Sequence, residues 1–391
     1  PRVGGAALPV KFGTKTYVLC LGGLCAARGR TQAIGDLQIF DPDVVVNGVR
    51  TGQYAGLTAT VEDLNNTRPN PMGLWNLKDR LFPALAQIST TEFVVIGGAR
   101  MGGDNAPTYN GDAGRALQDS VASDSTAMAV TCFVKTSLVN NKRVLQLTPG
   151  PCPTNGSGDG VGKGRYGMAA TMLPDGRVFA CGGVAVLHAT VGATVSTLMD
   201  ARVSGKETFL MTLGTNRANS SWTQVADMPV ALVCAKAVAL KDGRVLVVGG
   251  LVRSGTGYSD SEGSTTCLIY TPSTNTWATG PSFPEKSFTH AMVVLADGRV
   301  LCGGSQSGVT PGAVYVLDAA QTAWTQFLAY SSYAPNCGGR MVLLADGIGI
   351  WMGGTQNVTW GDLTTNTKGL ALLVPDYTNY SSAAELLAAD Y

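Results

Sequence analysis

The sequence predicts an all-β protein, a β-propeller of six four-stranded blades with a seventh possible and loop insertions in the N-terminal half. Three observations predict it. One tract recurs at intervals of tens of residues, the tract contains a hairpin signal, and tryptophan returns at one position of the period. The tract is Asp242-Gly-Arg-Val-Leu-Val-Val-Gly-Gly250, with relatives beginning at Asp175, Asp297 and Asp346. Two echoes without the Asp-Gly end at Gly22-Gly23 and Gly97-Gly98.

Each element of the repeat follows from residue chemistry. Residues 288–295 are an apolar, β-branched run that Asp297-Gly298 joins to a second run at Arg299. Glycine supplies the positive φ that a tight hairpin requires. The Gly-Gly pair ends the second strand and lets neighbouring backbones approach. A variable loop precedes a third strand, such as 313–317, and a polar turn leads to Trp324, which opens the fourth. Trp222 and Trp277 hold the same repeat position. Four antiparallel strands per unit make a propeller blade.

The Gly-Gly pairs at Gly22, Gly97, Gly182, Gly249, Gly303 and Gly353 place blades at about 13–78, 79–155, 163–229, 230–284, 285–335 and 336–380. The seventh, degenerate blade would lie between Gly98 and Gly182. Residues 5–10 are expected to complete the last blade after 370–374 and close the ring. The insertion at 47–80 reads consistently as neither strand nor helix, and 381–391 reads as a short helix or ordered tail. One domain is the expected organisation, because blades share a ring.

The strand, Asp-Gly, strand, Gly-Gly order followed by Tyr270-Thr-Pro-Ser-Thr-Asn-Thr-Trp277 resembles the kelch repeat. The Asp-Gly-Arg-Val form before Gly-Gly is similar to galactose-oxidase-like propellers. The resemblance is specific over about 165–354. Arg165 and His290 stand where many kelch repeats have Arg-x-x-His, although neither repeat keeps both residues. The resemblance implies a fold and not an activity. Copper-radical chemistry in that family takes two His and two Tyr ligands. This chain has only two histidines, His188 and His290, and no Tyr-His pair, so no copper and no other cofactor is expected. Sialidase turns, Walker loops and His-Glu-x-x-His are likewise missing.

Composition narrows the class further. Hydrophobic residues are 45% and charged ones 14%, with 50 glycines and a net charge of +1. That charge balance offers no basic field for nucleic acid, and no apolar run is long enough to insert in a membrane. Of nine cysteines, Cys20, Cys181 and Cys302 occupy strand ends before Gly-Gly, and Cys132, Cys234 and Cys267 lie in strand-like runs. They read as buried free thiols in a protein folded in a reducing compartment.

The loops after Gly-Gly should emerge on one face, the usual place for binding on a rigid scaffold. They supply the ligand-binding candidates Arg100, Asp104, Asn105, Tyr109, Asp112, His188, Arg253 and Tyr258. Arg165, Tyr166, Lys236, His290 and Arg340 begin innermost strands and form a candidate channel mouth of weakly basic character. Lys236 and Arg340 align with each other. His290 joins them only if Gly-Gly, rather than Asp-Gly, sets the register.

The sequence thus reads as a non-enzymatic recognition or assembly module. Its best use is as a virion or surface-appendage component of phage tail or fibre type, binding a glycan or protein receptor at the extracellular surface. The alternatives are a secreted or periplasmic carbohydrate-active enzyme and an intracellular kelch-type adaptor.

Overall fold

The computed structural model describes residues 5–22, 24–27, 30–33, 38–47, 49–50, 53–55, 60–63, 80–100, 131–151, 153, 165–184, 186–191, 194–199, 204–254, 257–258, 263–288, 290–304, 306–307, 310–311, 313–328, 339–344, 349–352 and 370–373. The Asp-Gly turns at Asp175, Asp242 and Asp297 form as three-residue hairpins. Gly243 N donates to Leu240 O at 3.0 Å, and Leu240 N donates to Arg244 O at 2.8 Å. Asp242 Oδ1 accepts the Arg244 N–H at 3.0 Å, and Arg244 Nε donates to Oδ2 at 2.7 Å. The turns at Asp175 and Asp297 repeat this pattern. This is a type I turn followed by a left-handed glycine. Gly243 has φ +86°, and a Cβ there would meet nothing within 4 Å. Backbone conformation, not crowding, selects glycine at this position.

Five blades have four antiparallel strands each. The first comprises Ala6–Phe12, Lys15–Leu21, Gln38–Asp41 and Gln53–Ala55. The second comprises Ala84–Ser89, Glu92–Ile96, Thr131–Val139 and Lys142–Gly150. The third runs from Tyr166–Met172 to Ser221–Val225, the fourth from Lys236–Ala239 to Thr276–Thr279, and the fifth from Ala291–Val294 to Trp324–Leu328. Among the described residues the only helical turn is the 3-10 segment Arg217–Asn219. None of these residues forms a helix long and apolar enough to cross a membrane.

The second strands explain the continuous apolar runs in the repeat. Val245, Leu246, Val247 and Val248 are all buried. Val245 and Val247 join Phe179 and Cys181 of the preceding blade, whereas Leu246 and Val248 join Val300 and Cys302 of the following one. A strand sandwiched on both faces has no polar side to alternate with. Outer strands such as Thr276–Thr279 are mostly exposed.

Four expectations are corrected. Five blades are four-stranded, not six; the sixth sector holds Arg340–Leu343, Gly349–Met352 and Leu370–Leu373 as a three-stranded sheet among the described residues. Among the described residues the stretch between Gly98 and Gly182 holds no seventh blade; its strands Thr131–Val139 and Lys142–Gly150 complete the second. The N-terminal residues do not extend the last sheet. Ala6–Phe12 pairs with Lys15–Leu21 through a two-residue turn in which Gly13 has φ +66°. Its residues alternate between buried and half-buried because successive side chains point to opposite faces of the sheet. Lastly, the 47–80 insertion does contain strand: Gln53–Ala55 ends the first blade, and Thr60–Asp63 adds in parallel to Lys142–Gly150. The tail at 381–391 lies outside the described residues.

The ring closes by side-chain contact. Val18, Cys20 and Phe40 of the first blade meet Val342 and Leu344 of the last sheet. Cys20, Cys132, Cys181, Cys234, Cys267 and Cys302 are buried free thiols. Burial pushes the Cys267 thiol up to about 12 and raises Cys181 further, so neither is a nucleophile near neutral pH.

Candidate functional site

The inner strand of each sheet faces a central channel. One level of that channel is set by the residue paired with the position just before each Gly-Gly. Around the ring it reads Ala6, Ala84, Ala169, Lys236 and Arg340, and in the fifth blade the equivalent residue is Ala291, which pairs with Gly303 itself. All six line a common cavity of about 170 Å³. Three alanines leave space on one wall, while the other carries a lysine and an arginine on the strands flanking Ala291. Lys236 is half-buried. Burial, and then the like charge of Arg340, lowers its ammonium to about 8.

His290 lines the same cavity but is fully buried. Its Nδ1 lies 2.8 Å from Ser287 Oγ, its ring stacks on Phe283 at 6.1 Å, and Nε2 has no hydrogen-bond partner among the described residues. Burial, assisted by the charge of Lys236, holds the imidazole down at about 3, so it is neutral at physiological pH. The register ambiguity resolves toward the Asp-Gly turn. Ala291, not His290, pairs with Gly303 in the way Lys236 pairs with Val248. Hairpin turns fix register, and the Gly-Gly position slides to accommodate the shorter strand.

Arg165 is not at the channel. Its guanidinium donates to Glu207 Oε2 at 2.9 Å and lies 5.1 Å from the Phe209 ring, with both charged side chains buried. Glu207 also accepts the N–H groups of Ser204 and Gly205 at 2.8 and 2.9 Å. Burial raises the Glu207 carboxyl, but the Arg165 charge and these hydrogen bonds outweigh it and hold the group low. The Arg165 carbonyl accepts from Gly98 N at 2.8 Å and sits where a Cβ on Gly97 would fall. Arg165 therefore joins the second blade to the third. Tyr166 is buried opposite Val184, ahead of Gly167 with φ +69°, and does not line the cavity. Glu207 escaped sequence reading because no motif marks a loop carboxylate whose partner lies in another segment.

Segments after Gly-Gly form hairpin extensions, the one at Leu251–Ser254 also pairing with Leu232–Val233. Leu24–Ala27 pairs with Arg30–Ala33, Val186–Val191 with Thr194–Met199, Leu251–Ser254 with Gly257–Tyr258, and Gln306–Ser307 with Thr310–Pro311. Each leaves its blade from the end of the second strand, beside the channel level carrying Lys236 and Arg340. Arg253 and Tyr258 are thereby paired across one hairpin. His188 pairs with Thr197, and Arg100 pairs with Arg80. Asp104, Asn105, Tyr109 and Asp112 lie outside the described residues. Among the described residues no group of three or more His, Cys, Asp or Glu side chains is placed to hold a metal.

No protein-family model matches the chain. Comparison with curated proteins gives a 91-residue stretch that is 36% identical to the Kelch-like protein terF of Aspergillus terreus. That stretch covers 23% of this chain and 19% of the relative, about a fifth of its length. Together with the ring of four-stranded sheets, the likeness makes this a chain that resembles kelch-type propellers.

Proposed function

We propose that this kelch-like propeller is a non-catalytic protein-interaction module that engages its partner through the hairpins on the Gly-Gly face. The observation carrying the reading is the shared origin of those hairpins. Four blades send an extension from the same end of the same strand, on a scaffold whose blade-to-blade contacts are buried side chains and hydrogen bonds. Rigid frameworks with variable loops at one end suit recognition. The opposite ends of these strands are short turns, of one Asp-Gly-Arg form in three blades.

The non-catalytic part rests on residue chemistry. His290 is neutral, buried and bonded to Ser287, and burial raises the thiols of Cys181, Cys267 and Cys302 out of the reactive range. A location on a virion or extracellular surface, and a glycan as ligand, rest on composition alone. Co-sedimentation of the native chain with particles would support that narrower use.

The module reading is tested by replacing 186–199 with a short Gly-Ser turn and measuring binding to the partner that cross-links to native protein. Loss of binding with an unchanged melting transition is expected. Undiminished binding in that variant, with cross-links mapping to the Asp-Gly turns, would overturn the choice of face.

A further inference from the structure

We propose that two projecting hairpins, on the face opposite the Gly-Gly loops, dock the propeller onto an anionic phospholipid bilayer. The first and second blades join their third and fourth strands differently from the rest. In the third, fourth and fifth blades that connection is residues 213–220, 272–275 and 318–323, and none of these exposes a large hydrophobic side chain. In the first blade it contains a hairpin of its own, Val45–Val46 against Val49–Arg50. In the second blade the strands run on. Thr131–Val139 pairs with Glu92–Ile96 only as far as Lys135 but with Lys142–Gly150 up to Val139, so residues 137–139 project. Val45 and Val46 are 58% and 52% exposed, and Leu138 and Val139 46% and 45%. Among the described residues no other large hydrophobic side chain is exposed, and a patch of that kind marks a contact surface.

The two hairpins are neighbours and are braced. The Arg143 guanidinium lies 4.9 Å from the centre of the Tyr17 ring, the Lys15 ammonium 5.4 Å from the same ring, and Lys15 binds Asp41 at 2.5 Å. Thr136 Oγ1 donates to Lys11 O at 2.6 Å, and Leu138 covers Gly13, where a Cβ would fall 2.7 Å from its side chain. The turns are tight: Asn140 and Asn141 have φ +50° and +61°, and Asn47 has φ +52°. Apolar side chains on a preorganised tip lose little freedom on binding. A projecting tip fits no groove, but the fluid boundary between headgroups and acyl chains accepts it without a shaped pocket.

Charge selects the occupant. On the hairpins and the turns beside them, Asp41 takes Lys15 and Arg217 takes Glu92. These pairs leave Lys11, Lys135, Lys142 and Arg143 against Asp43 among the described residues. Glu62 and Asp63 lie farther along the edge, opposite Gln146 and Leu147. The whole chain carries a net charge of only +1, so this end holds a local excess of positive charge. A second copy of the chain would bring the same cations together across a two-fold axis. Anionic headgroups instead match the cations while the aliphatic tips enter the acyl boundary. The contact is peripheral, and it uses no residue of the Gly-Gly hairpins, so a protein partner and a membrane can be held together.

The experiment is co-sedimentation of the full chain with vesicles of phosphatidylcholine alone and of phosphatidylcholine mixed equally with phosphatidylserine. Binding to the mixed vesicles and not to the neutral ones is expected, and added salt should release the chain because exposed charges are screened. Lys142→Glu should weaken binding about tenfold or more. The double variant Val46→Ser, Val139→Ser should weaken it by a similar factor with an unchanged melting transition, since both side chains are exposed. Replacing 186–199 should leave vesicle binding intact, which separates this surface from the protein-binding face. The comparison of the two vesicles with the native chain keeps the proposal falsifiable even if a variant fails to fold. No binding to the mixed vesicles, equal binding to the neutral ones, or native affinity in either folded variant would each overturn it. A dimer in solution that the double variant abolishes, without vesicle binding, would assign the tips to a second copy instead.

Discussion

At the residue scale the informative groups are those whose burial sets their chemistry. His290 has a folded-state pKa of about 3 against 6.5 for the exposed imidazole, because burial and the Lys236 charge oppose protonation. Between those values the unfolded chain binds a proton that the native chain refuses. Stability therefore falls as pH drops below 6.5 and is flat above it with respect to this group. The window from pH 5 to 6.5 lies above the carboxylates, so the slope there reports histidine. Urea midpoints measured across it should show a slope approaching about 1.4 kcal/mol per pH unit in the native chain, the linkage of one proton. His290→Phe should flatten that slope, and an unchanged slope would refute the assignment. None of this was legible in the sequence, where His290 reads as one of several channel cations. The turn-set register that turns it into the wall becomes visible only when strands are paired.

At the element scale the third, fourth and fifth blades are each fastened to their predecessor by a tryptophan at the start of the outer strand. Trp277 Nε1 donates to Ala226 O at 2.8 Å, while Asn275 Oδ1 accepts the Ala226 N–H at 2.8 Å and the Tyr270 hydroxyl at 2.9 Å. Both backbone groups of Ala226, just past the preceding blade, are held by one turn. Trp222 and Trp324 make the same bond to Pro151 O and Pro281 O, at 2.9 and 3.0 Å. The tryptophan periodicity seen in the sequence thus has a structural cause: the indole N–H must reach a neighbouring carbonyl, which phenylalanine cannot do. Asn275 has φ +55°, a left-handed conformation that asparagine tolerates better than most residues. Trp277→Phe keeps much of the ring contact with Tyr270 and Phe179 but strips Ala226 O of its donor. A loss of about 1–3 kcal/mol is expected in chemical denaturation, with similar losses for Trp222→Phe and Trp324→Phe. A negligible loss at all three would mean that the indole bonds do not hold the blades. Strands that carry these signals were readable in the sequence. Gln53–Ala55 has neither Trp nor Asp-Gly beside it and lies in a stretch that reads as neither strand nor helix, whereas 370–374 reads as a strand but its sheet holds three strands among the described residues.

At the scale of the whole molecule the interfaces differ in the length of chain they join. Those within the series link consecutive blades, as between Phe179 and Tyr270. The closing interface brings Phe40 against Val342, opposite ends of the described chain. A linear repeat gains stability from nearest neighbours, whereas closure must also meet the entropy of a very long loop. The hairpin through Gly13 supplies the inner strand of the first blade, so the N-terminus contributes a packing face to this seam and no strand to the last sheet. That arrangement was foreseeable from the alternation in Ala6–Phe12 followed by Gly13, but the missing Asp-Gly hid it. A ring closed by side chains across its longest loop should open there first. Phe40→Ala removes a buried aromatic from the seam and should cost about 3–5 kcal/mol, as should Phe179→Ala inside the series. Their hydrogen-exchange patterns should nevertheless differ, because local openings follow cooperative units. Phe40→Ala is expected to lower protection mainly in Lys15–Leu21 and Arg340–Leu343, leaving Val245–Val248 protected at the global limit. Phe179→Ala should lower protection in the central blades as well. Equal loss in every blade of the Phe40→Ala protein would show that the ring unfolds as one cooperative body and that its seam is as strong as its interior contacts.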